Sequence, residues 1–204
     1  MKKVRNILLL AGFGVLSLSA QVVRFNLGGG FTSPQYTTGT RLDTGWNGTA
    51  GIGLHAPVIG IRAEYQFNEM KVTDATTTAL GYPQGQMRIH SLTLNPQIEL
   101  PWKGPVRAYV IGGGGYYRRT VEFSAPTLAT FQGYDPYFNI YYQQVVPVNQ
   151  VLSSFTVNKA GVNGGAGITF GGDRLKFYAE ARYHHIYTRP TATTYIPVTF
   201  GIQF

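Results

Sequence analysis

No cysteine occurs in the 204 residues. That excludes disulfides, thiolate chemistry, Cys-ligated zinc and a lipoprotein lipid-anchor cysteine. Charge is scarce too. Asp, Glu, Lys and Arg make up 13%, about half of the usual ~25%. Past residue 20 the basic residues are scattered, with Arg118-Arg119 as the only adjacent pair. Nucleic-acid binding needs a clustered basic face, so no nucleic-acid partner is expected. No apolar run after residue 20 reaches the ~20 residues of a spanning helix. A spanning strand needs only ~9–11 residues with apolar groups at alternate positions, so a membrane protein stays open.

What is present points to β-structure. Gly numbers 26, Tyr 14 and Phe 12, and aromatics reach 14%. Disordered chains have few aromatics and high charge, and helical enzymes carry more Glu, Lys, Ala and Leu. The start reads as an address. Lys2, Lys3 and Arg5 precede the apolar run Ile7 to Leu16, and small residues follow to Ala20. These are the parts of a secretory signal peptide, expected over residues 1–20. Without it 14 basic and 9 acidic residues remain, a net charge of +5.

Alternation dominates residues 21–204. Ile59, Ile61, Ala63, Tyr65 and Phe67 oppose Gly60, Arg62, Glu64, Gln66 and Asn68. The same period holds from Val23, Leu92, Leu175 and Ile196. It predicts strands with two chemically different sides. Trp46–His55, Val106–Tyr117 and Lys159–Phe170 fit less sharply because they are Gly-rich, which makes about eight strands. Short connections at Ala56–Val58, Pro101–Pro105 and Gly171–Arg174 alternate with long ones at Thr32–Gly45, Lys71–Gln86, Arg118–Val157 and Thr188–Thr194. Short turns on one rim and long loops on the other suit a membrane barrel. The expected fold is all-β: a single closed antiparallel up-and-down transmembrane β-barrel over 21–204, with a long extracellular loop at about 118–157. A lipocalin-like soluble barrel is the rival, and it would invert which face looks inward. Trp46, Tyr65, Phe67 and Tyr183 on the loop side, and Trp102, Phe170 and Phe204 on the turn side, suit interfacial girdles.

The ending Tyr195-Ile-Pro-Val-Thr-Phe-Gly-Ile-Gln-Phe204 resembles the C-terminal signature of bacterial outer-membrane β-barrels. Phe177-Tyr-Ala-Glu-Ala-Arg-Tyr-His184 and Ala108-Tyr-Val-Ile-Gly-Gly-Gly-Gly-Tyr-Tyr117 resemble strands of the small outer-membrane-protein family that includes the A-type and X-type eight-stranded barrels. The resemblance implies a place in the cell outer membrane, among outer-membrane lipid and lipopolysaccharide. It also implies that Phe200, Ile202 and Phe204 are an assembly signal read by the barrel-assembly machinery. No peptidoglycan-binding domain like that of the A-type proteins is expected within residues 21–204, and the third loop is much longer than in the X-type. Such a fold hosts many functions, so it assigns no single activity.

Six inward-phased charges form the first candidate site: Arg62 and Glu64, Glu180 and Arg182, and Glu99 with Arg107 across the Pro101–Pro105 turn around Lys103. Buried ions are tolerated when paired. A side-chain plug explains them without motion, whereas the resemblance to A-type barrels suggests a switchable gate. The second candidate is the third loop, where Phe131, Tyr134, Tyr137, Phe138, Tyr141 and Tyr142 concentrate. Aromatics give large contact area at low entropy cost, so a packed cap and a binding surface are both expected there, the latter for an extracellular or envelope protein partner. His184 and His185 fall on opposite faces of one strand and cannot share a metal. His90 is phased outward and Ser91 inward, with no outward Glu at a useful spacing, and Asp43, Asp74 and Asp135 lie in separate loops. No catalytic residues, metal or cofactor are therefore expected. The expected role is structural or surface interaction through the loops. A small pore or gated channel is the alternative, and a lipid-modifying enzyme a distant third.

Overall fold

The computed structural model describes residues 22–56, 58–100, 104–172 and 174–204. The expected signal peptide, Lys103, Trp102 and Asp173 lie outside the described residues. Eight strands run in chain order: β1 (Val22–Pro34), β2 (Gly45–His55), β3 (Ile59–Lys71), β4 (Gln84–Glu99), β5 (Val106–Asp135), β6 (Ile140–Gly171), β7 (Lys176–Ile186) and β8 (Thr193–Gln203). Each pairs antiparallel with its neighbour, and β1 meets β8 from Asn26↔Gln203 to Pro34↔Tyr195, which closes the barrel. Two short helices, α1 (Tyr36–Gly39) and α2 (Asp74–Leu80), sit in the first two long connections. Helix α2 ends at Gly81, whose φ of 76° is the left-handed conformation that favours glycine, and the Gly81 N–H bonds back to Thr77 and Thr78.

The two faces of each strand separate as the alternation requires. On β4, Leu92, Leu94 and Ile98 are exposed, while Ser91, Thr93, Asn95 and Gln97 are buried. Val23, Phe25, Leu27, Ile59, Ile61 and Tyr65 continue the apolar outer wall. A water-exposed apolar belt of this extent would drive association, whereas hydrocarbon accepts it. Closure leaves no strand edge unpaired at the level of the belt. A lipocalin-like barrel would carry its apolar side inward, the opposite of this arrangement. Aromatics mark the belt's margins. Trp46 packs on Phe67 at 5.0 Å between ring centroids and Phe170 on Phe177 at 5.5 Å.

The structure corrects the third loop. Arg118–Val157 is not an irregular loop. β5 and β6 run on through it as a paired ladder to Asp135↔Ile140, with one register shift between Phe123 and Ser124. The segment is rich in Thr, Val, Phe, Tyr and Gln, and past Glu122 its only charge is Asp135, a composition that favours the pleated conformation. Two other connections are shorter than expected, since β1 extends to Pro34 and β4 begins at Gln84.

The glycines of β5 and β6 set the shape of the lumen. A Cβ built on Gly165 would collide with the Ala181 carbonyl oxygen and lie 2.8 Å from Cγ of Arg182. The wall is thus reduced to backbone at this point so that the Arg182 side chain of the adjacent strand β7 fits against it. Gly165→Val is expected to prevent correct closure, seen as loss of the heat-modifiable band on unboiled gels.

The chain's last residue secures the seam. Phe204 exchanges backbone hydrogen bonds with Phe25 at 2.8 and 3.0 Å and stacks on its ring at 5.9 Å. Phe200 and Phe204 both face outward. Deleting Phe204 removes these contacts, and the expected result is a sharp fall in heat-modifiable barrel recovered from outer membranes. Normal recovery would show that neither seam nor assembly needs this residue.

Candidate functional site

Strands β3 and β7 face each other across the lumen, so their inward residues meet at mid-depth. Arg62 Nε lies 3.2 Å from Glu64 Oε2, and its Nη2 pairs with Glu180. Arg182 reaches Glu64 Oε2 at 2.6 Å and Glu180 Oε1 at 2.5 Å. These four side chains are at most 3% exposed. Two cations and two anions form one closed neutral ring in which each group touches two of opposite sign. Tyr109 donates its hydroxyl to Glu180 at 2.7 Å, Thr49 donates to Glu64, and the Arg62 guanidinium lies 6.0 Å from the centroid of the Tyr178 ring. Such dense partnering is what makes buried charge tolerable.

Glu99 and Arg107 are not part of this ring. They meet at 3.5 Å across the β4–β5 turn, where Arg107 is half exposed. Strand length separates them from mid-depth, so the six charges divide into a buried tetrad and a rim pair.

Toward the loop end the lumen changes character. Leu42, Met70, Met87, Ile89, Ile186 and Tyr195 belong to one buried apolar cluster above the ionic ring. His184 lies at its base, 3.0 Å from the Tyr117 hydroxyl and stacked on Tyr195 at 4.9 Å. This layer was missed from sequence. Its signal was available in the inward phase of β3, which runs Arg62, Glu64, Gln66, Asn68 and then Met70. In β4 it runs Met87, Ile89 and then Ser91.

His90 and Ser91 sit on opposite sides of the wall. His90 Nδ1 is 2.7 Å from the Tyr65 hydroxyl on the outer face, and Ser91 donates inward to the Gln66 carbonyl. They cannot act as base and nucleophile on one substrate. Asp74 pairs with Lys71, while Asp135 caps the hairpin turn by accepting the Tyr137 N–H. Among the described residues no cluster of three His, Asp or Glu could hold a metal.

The β5–β6 hairpin is the second feature. β4 pairs with β5 only as far as Ser124, and β7 pairs with β6 only from Gly161 to Gly171. Beyond Ser124 the two strands stand alone. Eleven more residues carry β5 to Asp135, about 36 Å at ~3.3 Å per residue. The tip is aromatic and open to solvent: Tyr137 is 94% exposed, Tyr141 80% and Phe138 73%. Tyr134 packs on Tyr141 at 5.0 Å and donates to Asn139 at 2.8 Å, which stiffens the turn. Phe131 and Tyr142 lie lower on the hairpin, each about half exposed. All six expected aromatics therefore share one projecting element.

Known proteins place this architecture. The model of the outer membrane protein beta-barrel domain matches residues 7–204. Comparison with curated proteins gives no match. Among solved structures the chain is similar to Neisserial surface protein A, with a TM-score of 0.59 at 10% identity over 89% of this chain and 95% of that one. It is also similar to a major outer membrane protein from Thermus thermophilus, with a TM-score of 0.56 at 11% identity over 90% of this chain and 99% of that one. Both likenesses concern the fold. With its apolar outer wall, polar lumen and closed eight-strand ring, the chain belongs to the outer membrane protein beta-barrel domain family and resides in the outer membrane.

Proposed function

We propose that this barrel is a sealed anchor that presents the β5–β6 hairpin at the cell surface for contact with an extracellular or envelope protein. The observation that carries this reading is the hairpin itself. A two-stranded ribbon of this length buries little and is marginal on its own. Its tip shows Tyr137, Phe138 and Tyr141 to water, where large rigid aromatics give contact area at low entropy cost. Interface cores are enriched in such residues and depleted of charge, and residues 124–158 carry one charged side chain, Asp135.

The lumen supports anchoring over conduction. An ion entering from the loop side would meet the apolar cluster and then the tetrad, whose two cations and two anions already neutralise one another. Refolded protein in planar bilayers is expected to give no stable single-channel steps. Reproducible conductance with ion selectivity would favour the pore instead. Binding rather than chemistry is also what the outward His90 and inward Ser91 support. The surrounding partners in this reading are outer-membrane lipid and lipopolysaccharide against the belt, and the barrel-assembly machinery through Phe200, Ile202 and Phe204.

A further inference from the structure

At the loop end, beside the apolar cluster, α1, α2, upper β5 and the β7–β8 connection line a cavity of about 260 Å³. Its buried floor is apolar, made by Leu42, Val72, Met87 and Phe123. Arg41, Arg119 and Arg189 also line it, and no Asp or Glu does. Arg41 and Arg189 are exposed, so their end of the cavity meets solvent.

Arg119 is the unusual member. It lies above the lipid belt, opposite Ile89. Its Nη1 donates to the Thr193 hydroxyl at 2.7 Å. Its Nε is buried without a hydrogen-bond partner, and no carboxylate among the described residues pairs with it. Arg62 and Arg182, which are buried more deeply, each meet two carboxylates. Burial without a counter-charge lowers the pKa of Arg119, yet a guanidinium stays protonated. The result is a fixed cation whose second edge has no anion, set at the wall of an apolar cavity.

We propose that this cavity binds a small amphiphilic carboxylate, a medium-chain fatty acid, with the carboxylate on the Nε edge of Arg119 and the alkyl chain over Leu42, Val72 and Phe123. With Nη1 held by Thr193, the free edge presents two parallel N–H groups, which match the two oxygens of one carboxylate. The apolar floor takes the chain, and the outer arginines draw the anion in without forming its seat. The volume is just under the ~300–1,000 Å³ of drug-sized sites, which limits the guest to a medium chain and excludes a long one. This site does not depend on the hairpin reading, since the hairpin aromatics do not line it.

The test uses the full chain in lipid nanodiscs, with empty nanodiscs as the reference for partitioning. Decanoate labelled with 13C at the carboxyl is titrated and read by its own resonance and by the methyls of Leu42, Val72 and Val121. Saturable binding above the reference is expected, with decanol about tenfold weaker or more. Arg119→Gln should weaken decanoate by about tenfold or more, while its urea midpoint without ligand does not fall, because it removes a charge that no carboxylate pairs with. Val121→Trp fills the cavity with Arg119 intact and should also abolish binding, so the proposal is tested even if the first variant folds poorly. Decanoate indistinguishable from empty nanodiscs, or undiminished in either variant, overturns the site. Tighter binding of decyl phosphate overturns the carboxylate assignment. A lowered urea midpoint for Arg119→Gln with unchanged decanoate affinity makes Arg119 structural only.

Discussion

Replacing Ser124–Leu152 with a short Gly/Ser turn is expected to leave a folded, heat-modifiable barrel that has lost its surface binding. The cut falls where the register shifts, between Phe123↔Ser153 and Ser124↔Val151. Everything below it retains three-strand support, because β4 pairs with β5 up to Ser124. The removed ribbon contacts no strand but its own partner over most of its length, so it contributes little to closure. Antiparallel strands need only a few residues to turn, and the change in loop length itself costs little entropy. The measurements are the unboiled gel shift of refolded protein and whole-cell binding to extracellular and envelope proteins. Refolding failure would make the hairpin part of the folding unit and remove the main support for the interaction reading. Refolding with every binding phenotype intact would sink that reading outright. A narrower variant, Tyr137→Ser with Tyr141→Ser, separates the tip aromatics from hairpin length, and it should lose binding while leaving the ladder in place.

The second large effect is expected in the lumen. Arg182→Ala strips both Glu64 and Glu180 of one cation and leaves the tetrad with a net negative charge. Removing one partner of a buried pair costs ~3–5 kcal/mol, an upper figure here to the extent that water enters the space. Arg182→Ala with Glu64→Gln restores neutrality around the remaining Arg62–Glu180 pair and should recover part of the loss. Reversible urea unfolding in detergent or lipid, followed by Trp fluorescence, gives the four midpoints of the parent protein, Arg182→Ala, Glu64→Gln and the double variant. Strict additivity of the single changes would mean that the two side chains do not interact. The variant should also remain non-conducting in planar bilayers, because the apolar layer of Met70, Ile89, Ile186 and Tyr195 stays above the gap. Conductance appearing with this one substitution would assign the seal to the ionic ring alone.

Sequence alone determined the wall of this protein. A strand exposes its side chains alternately, so a period of two in Ile59–Asn68 or Ser91–Leu100 assigns each residue to a face without knowledge of its partners. Phe204, the outward His90, the inward Ser91 and the opposition of His184 to His185 follow from the same parity. What parity cannot supply is which inward residues share a level, because that depends on the register of each pair of strands and on closure. Arg62 and Glu180 are 118 positions apart and meet only because β3 lies across the ring from β7. The same limit explains why Glu99 and Arg107 fall at the rim while four similar charges converge at mid-depth. In the Gly112–Gly115 run no side chain carries the alternation, and the ladder to Gly161–Gly164 sets the phase instead. The third connection was hidden for a different reason. Its prolines and length suggest a loop, yet neighbouring β-prone strands continue a ladder once the barrel has aligned them, since each added pair needs only local ordering. The cavity around Arg119 was beyond sequence altogether, because its walls come from α1, α2, β5 and the β7–β8 connection, which closure alone brings together.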